Sequence, residues 1–339
     1  MTKDYYLTDL QLEQFAKDGF LGPLPKFAPD EDLDELREFF LKIEEEQPDH
    51  PMYGRFAVRD YHLLNDTLMS LFNHPAMIQP LTQLMGNDLL LWRSKSFLKP
   101  ANSGELGWHQ EWGSFNGAEI GNDCPALQPM AKNMDLPWNM TIWFALHDIT
   151  PSMGPVRFIR GSHKRHYPVE QVSMPDSAFF ESPFEEIETV EELVRRSLKG
   201  NLILDVDTSP VFKGINTETL SFEEAKTRVL QYLEKFTGEV ALPFDIDQDE
   251  LYEMPMKKGE FVIFYERVMH GSGPNTTARS RIGVNCRVTP SSTLVYPQRL
   301  KGEYIDGSNI DISSHYCVQL SGDFKRDDNV YLEHVQAKL

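Results

Sequence analysis

The densest chemical signal in the chain is Gly107-Trp108-His109-Gln110-Glu111-Trp112. In an extended strand residues i and i+2 project to one face, so His109 and Glu111 can present an imidazole and a carboxylate side by side. A second imidazole sits far along the chain, in Val268-Met269-His270-Gly271-Ser272-Gly273-Pro274-Asn275. Two histidines and one carboxylate on one face of a metal leave the other positions open, the arrangement of non-haem Fe(II) oxygenases. An H-x-E pair alone arises often by chance. It gains meaning only in a fold that carries residues 109–111 and 270 to one place. His74, His147, His163 and His334 lack such company and read as structural or surface residues.

Arg281 follows His270 by eleven residues and opens Arg281-Ile-Gly-Val-Asn-Cys-Arg-Val. Ile282, Val284, Cys286 and Val288 alternate with Arg281, Gly283, Asn285 and Arg287, so a strand here has one apolar face and one polar face. An arginine on the inner face of a barrel keeps its charge and needs a carboxylate. A dicarboxylic co-substrate reaching from the metal to Arg281 meets both needs; a structural ion pair is the plainer alternative.

The elements that must position these groups are legible in part. Thr8 caps a helix with Leu10, Leu12, Phe15 and Ala16 at helical spacing, ending at Gly19. Pro23 and Pro25 break the chain, and a second amphipathic helix begins near Asp30, with Leu33, Leu36, Phe39, Phe40 and Ile43 as its stripe. Residues 74–85 form a third, closed by Gly86. Beyond residue 89 the texture turns to short β-like runs, at 89–98, 139–148, 156–159, 260–269 and 281–289. Strands without an alternating helix predict an antiparallel sandwich or jelly roll, not a βαβ fold. No dinucleotide, P-loop or nucleophile-elbow motif stands in a suitable context. Residues 166–256 differ again, with charged helical patterns at 186–198 and 222–237 around a polar loop at 205–219. They read as an insertion packed on the barrel.

Composition bounds the partners. The 339 residues are 40% hydrophobic, enough for a large core, and carry a net charge of −19. Such a field repels phosphate backbones and anionic lipid, so neither nucleic acid nor a membrane surface is an expected partner. Cys124, Cys286 and Cys317 are few and scattered and suggest no disulfide framework or zinc site. No basic n-region precedes an apolar stretch at the start, and no window reaches the length of a membrane span, so a cytoplasmic setting is expected.

Together the motifs resemble the phytanoyl-CoA dioxygenase-like family of Fe(II)/2-oxoglutarate oxygenases. The resemblance rests on the opening helix Leu7-Thr-Asp-Leu-Gln-Leu-Glu-Gln-Phe-Ala-Lys-Asp-Gly-Phe, on Trp108-His109-Gln110-Glu111, and on Trp143 in Thr-Ile-Trp-Phe-Ala-Leu-His-Asp. It continues through Gly154-Pro-Val-Arg-Phe-Ile-Arg-Gly-Ser-His163-Lys, Lys258-Gly-Glu, His270-Gly-Ser-Gly-Pro-Asn and Arg281, covering most of residues 7–165 and 255–296. It implies that His109, Glu111 and His270 bind Fe(II), and that Arg281 holds the distal carboxylate of 2-oxoglutarate with Ser272 as a hydroxyl partner. Trp143 matches a residue lining the co-substrate pocket, and Lys99, in Phe97-Leu-Lys-Pro, is a weaker match to another. Two departures stand out. Glu111 replaces the commoner Asp, adding one methylene, and Arg160 precedes Gly-Ser-His where the family usually has Pro.

The expected architecture is a single oxygenase domain, mainly β with helical additions. Residues 1–88 form a helical N-terminal part, 89–165 and 257–296 a double-stranded β-helix or jelly-roll core, 166–256 an insertion and 297–339 a C-terminal extension. That extension, with Tyr296-Pro-Gln and Ser321-Gly-Asp-Phe, looks most like the branch serving specialised metabolism. The branch includes halogenases, which replace the acidic ligand with a small residue; Glu111 therefore points to hydroxylation of a small molecule, releasing succinate and CO2. A non-catalytic metal-binding protein of the same barrel class is the alternative. The side chains of Trp108, Trp112, Phe115, Trp138 and Phe144 are candidates for the pocket wall. The insertion is expected to act as a lid, with a mobile loop at 205–216, and the acidic chain points to a neutral or cationic, nitrogen-rich substrate.

Overall fold

The computed structural model describes residues 4–111, 125–130, 137–167, 169–176, 184, 187–200, 202–203, 206–241, 246–247, 250–306 and 310–332. Strands are numbered along the chain. Two antiparallel sheets dominate. The larger runs β1 (Phe20–Leu24), β10 (Phe261–Tyr265), β5 (Met140–Ala145), β12 (Arg281–Pro290), β2 (Leu89–Lys99) and β14 (Val318–Ser321). The smaller runs β3 (Leu106–His109), β11 (His270–Ser272), β6 (Val156–Ile159) and β9 (Leu251–Met254). The chain crosses from one sheet to the other at β2–β3, β5–β6, β9–β10, β10–β11 and β11–β12. A short pair, β4 (Leu127–Gln128) with β13 (Leu294–Val295), and a hairpin-like pair, β7 (Val169–Ser173) with β8 (Thr237–Ala241), lie outside the two sheets.

The alternation read in β12 sorts its two faces. Ile282, Val284, Cys286 and Val288 are buried in one cluster with Leu33, Leu36 and Phe40 of helix α2 (Asp30–Glu46). Each such side chain contributes about 1.5–3 kcal/mol by leaving water. The opposite face looks at the smaller sheet across Phe20, Trp143, Val262 and Phe264, which meet Val156, Phe158 and Met254. Phe20 stacks on Phe158 with centroids 4.5 Å apart. Phe144, expected at the pocket wall, points instead into the helix-side cluster, and Trp138 lies in a third cluster beneath the C-terminal extension. Trp112 and Phe115 lie outside the described residues.

Helix α1 (Asp9–Asp18) starts in a capping box between Thr8 and Gln11 and stops at Gly19 in the left-handed region, as its sequence predicts. Helix α4 (Pro75–Met85) likewise spans the expected third segment. Ahead of β2, α3 (Asp66–Phe72), capped by Asn65, and strand β1 are additional to the elements read from the sequence. Pro23 sits in β1 because that strand is at a sheet edge, where a missing N–H costs no ladder bond.

The insertion has its own core, built from Leu193, Val206, Val211, Phe212, Ala225, Val229 and Leu233. Its helices are α5 (Val190–Leu198), capped by Thr189, and α6 (Phe222–Leu233), with a Ser221–Glu224 capping box. The loop expected to be polar and mobile is packed: Val206, Thr208, Val211 and Phe212 are buried. Ser197 and Thr208 exchange side-chain bonds to each other's carbonyls, at 2.8 and 3.2 Å. Asp205 lies outside the described residues. Arg55, between α2 and β2, reaches this part of the chain through the Gly200 carbonyl and Asp207.

A buried polar network fastens the C-terminal extension. Asp60 accepts from the Tyr53 hydroxyl (2.5 Å) and the Ser94 N–H (3.0 Å), while Arg59 reaches Asp306 at 2.8 Å. His50, His62 and His315 lie in this region, and burial holds each near pKa 4, below the ordinary 6.5. They are neutral in the fold, so the unfolded chain takes up their protons as pH drops below 6.5, and stability is lost progressively towards pH 4. Glu44, pushed up to about 7 by burial, and Glu266, which burial raises well above the usual carboxylate range, act in the opposite sense. The seven depressed histidines at 50, 62, 109, 147, 163, 270 and 315 outnumber them. Thermal unfolding of the metal-free protein should therefore give a lower Tm at about pH 5 than at about pH 7; a flat profile would contradict this assignment.

Candidate metal centre

His109 ends β3 and His270 opens β11, and the two are direct cross-strand partners. Their rings lie 4.0 Å apart between centroids. Each imidazole turns its Nδ1 to a carbonyl two residues earlier, His109 to Gly107 (3.0 Å) and His270 to Val268 (2.8 Å). These bonds place the proton on Nδ1 and leave Nε2 as the ligand atom. Glu111, two residues beyond His109, projects to the same side. One ligand atom from each of His109, Glu111 and His270 lies within 4.8 Å of the others. Among the described residues this is the single such cluster.

Protonation suits metal binding. Burial lowers both histidines, His270 to about 3, so each presents a free lone pair. Burial pushes the Glu111 carboxyl up, but the Arg287 charge and its two hydrogen bonds outweigh it and hold the group at about 2. Two neutral imidazoles and one ionised carboxylate, converging on one point with Nδ1 already engaged, fit a divalent ion such as iron(II).

The residue between the ligands faces away and anchors the strand. Gln110 Nε2 donates to the carbonyls of Ser162 (3.2 Å), Arg165 (3.0 Å) and Arg267 (2.7 Å), and its Oε1 accepts from the Tyr167 N–H (3.0 Å). The Glu111 N–H donates to the Glu266 carbonyl at 3.0 Å, which fixes the ligand's backbone to the turn before β11. Trp108 faces outward from the ligands, with the Arg157 guanidinium 4.6 Å over its ring. Gln110 is legible as part of the motif, but its role is not: only the fold shows which carbonyls surround it. Sequence reasoning also misses Arg287 as a site residue. The available signal is its place on the polar face of β12, in step with Arg281.

The second half of the site lies along the inner face of the larger sheet. Arg281 pairs across the ladder with Lys99, and its guanidinium sits 5.3 Å over the Trp143 ring. Arg281 is 5% exposed, its Nε has no hydrogen-bond partner, and burial pulls its pKa down to about 10. No carboxylate among the described residues answers it. A structural ion pair is thereby excluded for this residue among them, and a buried guanidinium left in this state fits an incoming carboxylate. Lys99 Nζ donates to the Gly104 carbonyl (2.6 Å) and to Ser272 Oγ (3.3 Å), joining the end of β2 to β11. Asn285 and Thr141 face the same space with side-chain oxygens that have no partner. His147 Nε2 accepts the Ile282 N–H at 3.1 Å and His74 Nδ1 the Ala76 N–H at 3.1 Å, and neither they nor His163 join a metal-binding cluster among the described residues. His334 lies outside the described residues.

Gly283 lets Trp143 lie flat against β12. A Cβ there would come 2.5 Å from the Phe144 carbonyl oxygen and would overlap the Trp143 ring. Gly283→Ala should therefore displace the indole from Arg281 and cost about 1–3 kcal/mol, as overpacking does. Paired measurements of Tm and 2-oxoglutarate affinity check it, both falling; an unchanged affinity would separate Trp143 from the co-substrate site.

Two facing antiparallel sheets, with a two-histidine, one-carboxylate cluster and a buried arginine that no carboxylate among the described residues answers, define the class of mononuclear non-haem metal oxygenases that use a dicarboxylic co-substrate. The sequence profile of the phytanoyl-CoA dioxygenase (PhyH) family matches residues 15–283. The chain belongs to that family, an oxidoreductase family that depends on iron(II) and 2-oxoglutarate. A search of curated proteins finds no match. Among solved structures, the chain resembles CytC3 with Fe(II) and alpha-ketoglutarate, at 19% identity and TM-score 0.60, over 97% of this chain and 94% of that one. It also resembles the apo form of the non-haem monooxygenase ThoJ, at 19% identity and TM-score 0.56, over 96% and 86% of the two chains. A third is the epimerase SnoN in complex with Fe3+, alpha-ketoglutarate and nogalamycin RO, at 15% identity and TM-score 0.52, over 95% and 97%. At these identities the likeness shows a shared fold. No helix among the described residues is long and apolar enough to cross a membrane.

Proposed function

We propose that the protein hydroxylates an unactivated C–H bond of a small molecule, an intermediate of specialised metabolism, within a jelly-roll core. The observation that carries the reading is the pairing of His109, Glu111 and His270 with Arg281, which no carboxylate among the described residues answers, in one inter-sheet space. Iron(II) bound there would supply oxygen activation coupled to oxidative decarboxylation of 2-oxoglutarate to succinate and CO2. The chain's own part is to bind and orient. Arg281 takes the distal carboxylate, Trp143 flanks it, and the aromatic cluster of Phe20, Phe158 and Phe264 keeps water from the back of the site. Glu111 favours hydroxylation over halogenation, because the position a halide would need holds an ionised carboxylate.

The chain as a whole is acidic, but the inner faces of β2 and β12 carry Lys95, Lys99, Arg281 and Arg287, besides Arg93, which is paired with Asp306. Glu111 and the two carboxylates of 2-oxoglutarate balance part of that charge. We therefore favour a neutral substrate over a cationic one. Substrate choice is assigned to the insertion, whose strand β8 runs beside β3 and so approaches the metal-bearing strand. Because the 206–216 loop is packed, closure would involve the β7–β8 pair. Limited proteolysis between residues 166 and 256 should slow when iron(II), 2-oxoglutarate and substrate are all present, and equal cleavage would count against a lid.

The test of the reaction is a screen of small natural-product intermediates for substrate-stimulated succinate formation by the iron-loaded enzyme, with products analysed after reaction under labelled O2. A product that gains one labelled oxygen atom supports hydroxylation. A product that loses two hydrogens without gaining oxygen replaces it with desaturation or ring closure. Tight ligand binding with no succinate points to the non-catalytic alternative.

A further inference from the structure

We propose that Arg287 is a positioning residue that holds one oxygen of Glu111, keeps it a single-atom metal ligand, and so preserves an open coordination position. The inference rests on the metal-centre reading above and concerns how that centre is kept usable.

The geometry is a fork. Arg287 Nη1 donates to Glu111 Oε2 and Nη2 to Oε1, both at 2.5 Å. Paired carboxylate and guanidinium planes of this kind fix orientation as well as charge. Neither partner is free to drift. Arg287 lies in the middle of the larger sheet, opposite Thr141 of β5 and Arg93 of β2, with its side chain 12% exposed. The Glu111 backbone is tied to the Glu266 carbonyl.

The need for such a device follows from coordination arithmetic. A facial set of three protein ligands leaves three positions on an octahedral ion. A co-substrate that chelates takes two, and O2 needs the third. A glutamate has one more methylene than an aspartate and the reach to chelate the ion with both oxygens. That would consume one of the three positions. With an ion bound through one Glu111 oxygen, one arm of the Arg287 fork would still hold the other oxygen.

This role has a sign opposite to that of a residue serving metal affinity. A guanidinium beside a divalent cation repels it, and a bound cation would itself replace the positive charge that keeps the buried Glu111 ionised, so removing Arg287 should not weaken metal binding near neutral pH. A residue that merely supports the fold would alter Tm and leave ligand occupancy alone. A residue that controls denticity would change the room left for the co-substrate.

Co(II) serves as an oxygen-stable probe. The parent, Arg287→Met and Arg287→Lys are each titrated with Co(II) and then with 2-oxoglutarate, following the visible Co(II) bands, with circular dichroism as the check on folding. For Arg287→Met the expected result is Co(II) affinity equal to the parent's or tighter, with 2-oxoglutarate affinity on the Co(II) protein reduced about tenfold or more. Arg287→Lys, which can still hold one oxygen, should recover most of the loss. Parent-like binding of both ligands by Arg287→Met overturns the proposal, and so does loss of Co(II) binding from a folded variant. If the parent itself binds no Co(II), the metal-centre reading fails first. Should Arg287→Met not fold, infrared difference spectra of the Co(II) parent decide: widely separated carboxylate stretches mean one-oxygen ligation by Glu111, and narrowly separated ones mean chelation and end the proposal.

Discussion

His270→Ala is expected to give a folded protein that no longer retains a divalent ion and forms no succinate. Its Nε2 is one of three ligand atoms, and the Nδ1 bond to Val268 shows the ring already turned for that task. Losing an outer-shell partner of a metal ligand costs about 10–100-fold in affinity, so loss of the ligand itself should exceed roughly 100-fold. Isothermal titration with Mn(II) or Co(II) reads this directly. Removing the imidazole leaves a cavity beside Phe158 and Phe264, whose rings lie 6.3 and 4.8 Å from that of His270. Some loss of stability is therefore expected too, and circular dichroism must separate it from loss of the ion. Glu111→Ala should likewise abolish hydroxylation, but with a different signature. It leaves the Arg287 guanidinium without its carboxylate, and a small anion such as chloride gains a place beside the metal. Full hydroxylase activity in Glu111→Ala would show that the carboxylate is not a ligand.

Arg281→Met should nearly eliminate 2-oxoglutarate binding while making the unliganded protein more stable. Breaking a buried, hydrogen-bonded charge pair costs about 2–5 kcal/mol, or roughly 30- to 5,000-fold in affinity. Without co-substrate, however, Arg281 is a buried cation with no carboxylate among the described residues, and the fold bears that desolvation cost. Replacing it with an apolar chain of similar length removes the cost, so the apo Tm should rise. Arg281→Lys separates charge from geometry: the ammonium keeps the attraction but loses the two-pronged match to a carboxylate, and affinity should fall by an intermediate amount. Opposite movements of Tm and affinity in Arg281→Met are the decisive pattern. A fall in both would assign Arg281 to the scaffold.

Some of this site is legible in the residues alone, and the reason is local. His109 and Glu111 stand two apart on a strand, and Arg281 and Arg287 stand six apart on another, so period-two geometry alone gives their facing. The caps at Thr8 and Gly19 are equally local, and α1 obeys them. What stays hidden depends on distant partners. Phe144 and Trp143 are neighbours in sequence with opposite fates, one packed under the helices and one over Arg281, and only the placement of the two sheets distinguishes them. The 206–216 loop reads as polar because its charged residues are conspicuous; the less visible Val206, Val211 and Phe212 determine its packing. The prolines of β1 conceal it as a strand, though an edge position tolerates them.

The pairing of β6 with β9 joins the two ends of the long insertion, since Ile159 lies directly opposite Leu251. For the chain as a polymer, this makes the insertion a closed loop whose ends are pinned by a ladder that does not depend on the loop's contents. Closing such a loop costs only about 0.6 kcal/mol more for each doubling of its length. The segment beyond Tyr167 is thus a graft point: it can lengthen, shrink or be exchanged at small entropic cost while Ser162, Arg165 and Tyr167 keep Gln110 anchored and β11, with His270, keeps its register. A chimera carrying a different segment between Tyr167 and Leu251 should still take up Co(II), even if it no longer accepts the same substrate.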